Sequence, residues 1–176
     1  MKIGIIGYGV VGKAAENTLK EEYQVFKYDK FQDLDDFDNV KKCGIIFIMV
    51  PTPFDCSKNE VDDSAVIENL SKLHDSEYKG LIIIKSTVPP GTCKEIINPI
   101  IVNSLQQRGL SIDKIKVGHS YERVMPGPGY IDSIQNFYRV YSGINERSAD
   151  AVESFLHTII RTDDYPLTRL KSTNAT

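Results

Sequence analysis

The chain opens on Met1-Lys2-Ile3-Gly4-Ile5-Ile6-Gly7-Tyr8-Gly9-Val10-Val11-Gly12, an apolar run that passes directly into glycines spaced G-x-G-x-x-G. Few folds accommodate that order. A short continuous apolar run marks a strand buried on both faces of a parallel sheet, and the glycines after it dictate a tight turn. The next residues predict an amphipathic helix, with Val10/Val11, Ala14/Ala15 and Thr18/Leu19 on one face and Lys13, Glu16, Asn17 and Lys20 on the other. A helix start leaves backbone N–H groups unpaired and carries partial positive charge, so it suits a pyrophosphate when no side chain stands in the way. Gly7 permits the turn, Gly9 the approach of phosphates, and Gly12 the packing of helix on strand.

A second strand is expected at Tyr23-Gln24-Val25-Phe26-Lys27-Tyr28, closed by Asp29 about twenty residues beyond the first glycine. A carboxylate there accepts hydrogen bonds from an adenosine ribose diol and repels the 2'-phosphate of NADP. An ordinary glycine-rich turn explains the glycines alone, but not their agreement with the strand, the helix and the acid. Together they predict a dinucleotide site for NAD, formed by Gly7, Tyr8, Gly9, Val10, Val11, Gly12 and Asp29. Lys30, beside Asp29, partly offsets the repulsion that excludes NADP.

A length of 176 residues buries a good core in one domain, with room for an appendage. The net charge of -3, with both signs interspersed, argues against a nucleic-acid partner. No stretch reaches the length of a membrane span and the start lacks a signal-peptide pattern, so a cytoplasmic protein with no membrane partner is expected. Cys43, Cys56 and Cys93 have no C-x-x-C spacing, which speaks against a disulfide framework or a metal site.

Further along, Phe31 to Lys42 reads as a loop and short helix, and Cys43 to Val50 as a central strand stopped by Pro51-Thr52-Pro53. Ligands of open parallel sheets sit at the carboxyl ends of strands, which brings Thr52 to the edge of the glycine loop. Simple strand termination explains the prolines equally. A polar loop is expected from Phe54 to Glu60, a helix from Val61 to His74, and a strand from Gly80 to Ser86 that delivers Thr87 to the same edge. Pro89-Pro90 stiffens the turn into a helix over Cys93 to Ile101. A strand at Ile115 to Gly118 leads into a loop from His119 to Tyr130, in which Glu122 and Arg123 read either as a solvated pair or as site residues. A sixth strand spans Tyr138 to Ile144, and Asn145 caps a helix from Arg147 to Ile160. His74 and His157 read as surface or satisfied helix residues, and His119 as structural. Pro166 to Leu170 forms a short extended segment, and Lys171 to Thr176 carries the hydroxyls and amide that open a helix.

Four of these stretches, Lys2 to Gly12, Val50-Pro51-Thr52-Pro53, Ser86-Thr87-Val88-Pro89-Pro90-Gly91-Thr92 and Ser120-Tyr121-Glu122-Arg123, resemble in order the motifs of the UDP-glucose/GDP-mannose dehydrogenase family. These are the nucleotide-sugar 6-dehydrogenases, and the resemblance, to their N-terminal NAD-binding domain, runs the length of the chain. It implies that Val11, Asp29, Thr52, Thr87 and Glu122 contact NAD, and that Glu122 and Thr87 help to position a catalytic water. Tyr121 departs from the pattern, since many members have proline before the glutamate, and Lys30 lies close to, but not at, the position of a second ribose-side basic residue.

The family reaction oxidises the primary alcohol of a UDP- or GDP-sugar to a carboxylate with two NAD molecules, through a cysteine thioester. In the family that cysteine lies downstream, in central helical and C-terminal domains, which implies NAD binding without complete turnover by this polypeptide alone. Cys93, near a helix start, is the one cysteine here with a reason for a lowered pKa, although a small residue at a helix entrance explains it as well. The expected fold is therefore α/β, a Rossmann-type doubly wound, mostly parallel sheet of about six strands. Residues 1–160 form the NAD-binding domain and 161–176 a tail, with a homodimer or a missing C-terminal portion as partner. A non-catalytic NAD-binding regulatory module and a hydroxyacid-type dehydrogenase are the competing expectations.

Overall fold

The structure, a computed structural model, describes residues 1–75, 77–111, 115–124, 129 and 132–171. Residues 125–128 and 130 of the expected loop, and 172–176 of the tail, lie outside the described residues.

Seven strands form one sheet: β1 (Lys2–Ile6), β2 (Gln24–Tyr28), β3 (Ile45–Ile48), β6 (Leu81–Ile84), β7 (Lys116–His119), β8 (Arg139–Gly143) and β9 (Leu167–Arg169). Their spatial order is β2-β1-β3-β6-β7-β8-β9, and every neighbouring pair is parallel except β7 with β8. The chain steps outward from β1 to β2 and then back across β1 to β3. That reversal opens a crevice beyond the carboxyl ends of β1 and β3, where open α/β sheets hold their ligands.

Alternation along the strands divides the core between two faces. Ile3, Ile5, Ile45, Phe47, Leu81 and Ile83 meet Ala14, Ala15 and Leu19 of helix α1 (Val10–Leu19) and Val152, Phe155 and Leu156 of helix α5 (Glu146–Leu156). On the other face, Ile6, Ile46, Ile48, Ile82 and Ile84 meet the short helix α2 (Phe37–Val40), helix α3 (Ser64–Asp75) and helix α4 (Asn98–Gln107). Both faces of the central strands are covered, which is why those runs are continuously apolar.

Several details depart from the sequence expectations. The sheet has seven strands, because the extended segment near Pro166 pairs with β8 as β9. Phe54 to Glu60 is no plain loop, since β4 (Phe54–Asp55) and β5 (Glu60–Val61) close an antiparallel hairpin with Asn59 at φ 55° in its turn. The helix expected from Cys93 to Ile101 opens with a π turn at Cys93–Ile97 and runs on to Gln107. Pro99 has no N–H to donate, and just before it the N–H of Asn98 reaches back to the carbonyl of Cys93. Asn145 caps α5 as expected, its side chain accepting the Ser148 N–H at 2.8 Å. No helix among the described residues is long and apolar enough to cross a membrane.

Candidate functional site: the carboxyl edge of the sheet

The three glycines of the opening motif meet three different constraints. Gly7 has φ +93°, and a Cβ there would lie 2.4 Å from the carbonyl oxygen of Met49. Gly12 stands over Gly7, so close that a Cβ would lie 2.3 Å from its carbonyl oxygen. Gly9 differs, since a Cβ there would meet nothing within 4 Å. Packing therefore explains Gly7 and Gly12, whereas at Gly9 the space in front of the backbone is open. Gly9 is also the N-cap of α1 and provides no side-chain cap, so the first-turn N–H groups face that space without an intrahelical acceptor. The Tyr8 hydroxyl donates to the Glu16 carboxylate, and its ring lies 5.8 Å from the Lys13 ammonium and 5.5 Å from that of Lys27, which ties the side chain to α1 and β2.

Asp29 ends β2 with its side chain turned toward the glycine loop. Its carboxylate accepts the N–H of Tyr8 at 2.8 Å and of Phe31 at 3.0 Å. Partial burial raises its pKa, but these two N–H groups and the Gln32 side chain outweigh that and hold it below the ordinary aspartate value. Asp29 thus secures the loop while keeping lone pairs for a further donor, because an ionised carboxylate accepts at about four sites.

Between the ends of β1 and β3 lies a crevice of about 110 Å³, lined by Gly7, Asp29, Phe31, Val50 and Pro51, with Glu68 and Lys72 of α3 on its far lip. Phe31 is 89% exposed beside it. Lys30 lines the same crevice and pairs with Glu68 at 3.2 Å.

The other expected residues follow along the same edge. Thr52 donates its hydroxyl to the carbonyl of Thr87 at 2.6 Å, joining the segments after β3 and β6. The Glu122 N–H bonds the carbonyl of Lys85 at 3.1 Å, which brings the segment after β7 into the series. Glu122 is not half of a solvated pair with Arg123. Its side chain is 3% exposed, contacts the Lys85 ammonium at 3.1 Å, and pairs with the Arg139 guanidinium. Arg123 instead lies over the ring of Phe137.

Burial raises the Glu122 pKa, yet the cations of Lys85 and Arg139 override it and keep the carboxyl below the ordinary glutamate value. Lys85 is pushed down to about 8, by burial above all. Neither Lys85 nor Arg139 stood out in the sequence. The available signal was a lone charge at the end of an apolar strand run, Leu81 to Lys85, and another inside the run from Tyr138 to Ile144.

The histidines and cysteines separate clearly. His119 is 1% exposed, its Nε2 bonding the Ser86 carbonyl at 3.1 Å, which makes Nε2 the protonated nitrogen. Burial lowers its pKa. His157 is exposed, as expected, but His74 is buried, and its Nε2 has no hydrogen-bond partner. Cys93 is buried, and burial pushes its thiol up to about 12, the opposite of an activated nucleophile. Cys43 is likewise raised to about 11, mainly by burial, while Cys56 is exposed in the β4–β5 turn.

Residues 13–160 match the sequence profile of the UDP-glucose/GDP-mannose dehydrogenase family, NAD binding domain. Among curated relatives, the UDP-N-acetyl-D-mannosamine dehydrogenase of Methanocaldococcus jannaschii is 33% identical over 126 residues, which is 68% of this chain and 26% of that protein. The UDP-glucose 6-dehydrogenase of Rickettsia bellii is 30% identical over 139 residues, or 77% of this chain and 28% of that protein. Among solved structures, the UDP-N-acetyl-mannosamine dehydrogenase Cap5O of Staphylococcus aureus superposes with a TM-score of 0.80 at 20% identity, covering 99% of this chain and 48% of that one. The chain therefore spans roughly a quarter of these curated relatives and about half of the solved structure.

Proposed function

Since the chain belongs to the UDP-glucose/GDP-mannose dehydrogenase family and corresponds to its NAD-binding domain, we propose that it is the coenzyme half of an enzyme that oxidises a UDP- or GDP-sugar at its primary alcohol. Bound NAD+ supplies the hydride acceptor. The amides of Gly9, Val10, Val11 and Gly12 hold the pyrophosphate at the uncapped start of α1, and Asp29 accepts from the adenosine ribose. Tyr8 contributes through its backbone, and the crevice beside Phe31, Val50 and Pro51 takes the adenine. Thr52, Thr87 and Glu122 continue the same sheet edge and would serve the remainder of the coenzyme.

In this reading Thr87, exposed on that edge, is the side chain available to the reacting groups and their water. Glu122, whose N–H bonds the carbonyl of Lys85 two residues before Thr87, acts as a fixed anion walled in by Lys85 and Arg139. The buried thiols of Cys43 and Cys93 leave the family's covalent step to residues outside the described site. The sugar and the remainder of such an enzyme, whether further polypeptide or a second copy, are the partners this reading implies.

The observation that carries the proposal is the difference among the glycines, since packing accounts for Gly7 and Gly12 whereas the Gly9 backbone faces open space at the start of α1, as an approaching pyrophosphate needs. Gly9→Val is the matching experiment. The φ at Gly9 is -78° and a Cβ there meets nothing within 4 Å, so the substitution adds no clash at Cβ and thermal stability reports separately on the fold. Calorimetric titration with NAD+ should give clear binding to the unaltered chain and none to the variant, at equal thermal stability. Equal heats for both, or none for the unaltered chain, would overturn the assignment.

A further inference from the structure

The crevice beside Asp29 contains more charge than a ribose diol requires. Lys30 enters it from the end of β2, and Glu68 and Lys72 face it from α3. The Glu68 carboxylate lies 3.2 Å from the Lys30 ammonium and 2.6 Å from that of Lys72. With Asp29, the lips of the crevice carry two acids and two bases. Asp29 is committed to the N–H groups of Tyr8 and Phe31, whereas Lys30 and Lys72 converge on one carboxylate.

We infer that Glu68 is a specificity-determining residue for the coenzyme, occupying the two ammonium groups that would otherwise receive a 2'-phosphate. The inference rests on the reading of this edge as the coenzyme site. NADP differs from NAD by a dianion on the adenosine ribose, the group nearest Asp29 in any dinucleotide bound in this manner. Repulsion by Asp29 alone is an incomplete barrier when lysines stand on both sides of the crevice. Glu68 completes it by pairing with both, and its own pKa is lowered first by Lys72 and then by Lys30, as a shared counter-ion requires. The pairs are half-exposed and screened by solvent, so the barrier is a modest one.

The experiment compares the ratio of NADP+ to NAD+ dissociation constants, by calorimetry in low salt, for the unaltered chain, Glu68→Gln, and Glu68→Gln combined with Lys72→Met. Removing the carboxylate should shift the ratio toward NADP+ by about three- to tenfold, and removing Lys72 as well should return much of that shift. A ratio unchanged in Glu68→Gln overturns the inference. So does a full shift retained without Lys72, because the gain would then be loss of repulsion and not release of the lysines. If the unaltered chain binds neither coenzyme, the assignment of the edge falls and this inference with it; if it binds NAD+ and the ratio stays fixed, only the inference falls.

Discussion

Asp29 and Glu122 are both carboxylates that follow a strand on the same edge of one sheet, and both are held below their ordinary pKa by opposite means. Asp29 lies in a partly exposed turn and is stabilised by backbone N–H groups of its own loop and of the glycine turn. Glu122 is buried and is stabilised by cations from the ends of two other strands. One arrangement costs little to build and leaves the carboxylate accessible. The other has to overcome the desolvation of three charged groups and leaves its carboxylate walled in. Under the function proposed above, the contrast gives recognition to the Asp29 end and rigidity to the Glu122 end.

The severest challenge to that contrast is Glu122→Gln, which leaves two buried cations facing a neutral amide. It should lower unfolding free energy by about 3 to 5 kcal/mol in urea titrations. A loss within experimental error would mean that water reaches the cluster, and the distinction between the two ends would disappear.

A second measurement uses pH. His119, beside the cluster, is neutral in the fold with its pKa below the usual 6.5, so the unfolded chain binds a proton that the folded chain does not. Stability should therefore be fully present above about pH 6.5 and decline as pH falls toward the folded value, by at most about 1.4 kcal/mol per pH unit for one such group. His74, lowered chiefly by burial as well, adds to the same limb. His119→Gln retains a donor for the Ser86 carbonyl and should remove about half of the slope between pH 6.5 and 5.5, read from thermal midpoints. An unchanged slope would assign the acid sensitivity elsewhere.

The mildest effect on stability belongs to Asp29→Asn, about 1 kcal/mol, because the amide oxygen still accepts an N–H. Its coenzyme affinity should nevertheless fall by about tenfold, and calorimetry set beside urea titration gives both quantities on one sample. A stability loss as large as that of Glu122→Gln, with NAD+ binding intact, would reverse the assignment of the two ends.

How far each end could be read from the sequence follows from the same difference. The glycine turn, the strand before it, the helix after it and Asp29 are encoded within about thirty contiguous residues by spacing and periodicity, and each was legible. Asn145 as a cap was legible for the same reason. The partners of Glu122 were not, because Lys85 and Arg139 come from strands that only the tertiary fold brings beside it. In sequence Glu122 stands next to Arg123, and adjacency favours a solvated pair that the fold does not form. The antiparallel entry of β8 and the joining of β9 were hidden likewise, since period-2 alternation specifies a strand but not the direction of its neighbour. At α4 the Asn98-Pro99 pair obscured how far the helix runs, because a proline in a first helical turn and one that ends a helix look alike.

Arg139 has a consequence for how this end of the molecule fluctuates. One guanidinium donates to the Glu122 side chain, to the carbonyl of Tyr121 at 3.3 Å and to that of Ile134 at 3.0 Å. The segment after β7, the 3-10 turn at Asp132–Ile134 and β8 are therefore fastened through a single side chain. None of them can open to solvent without stranding the others' acceptors, so hydrogen exchange should find their amides protected as one cooperative unit.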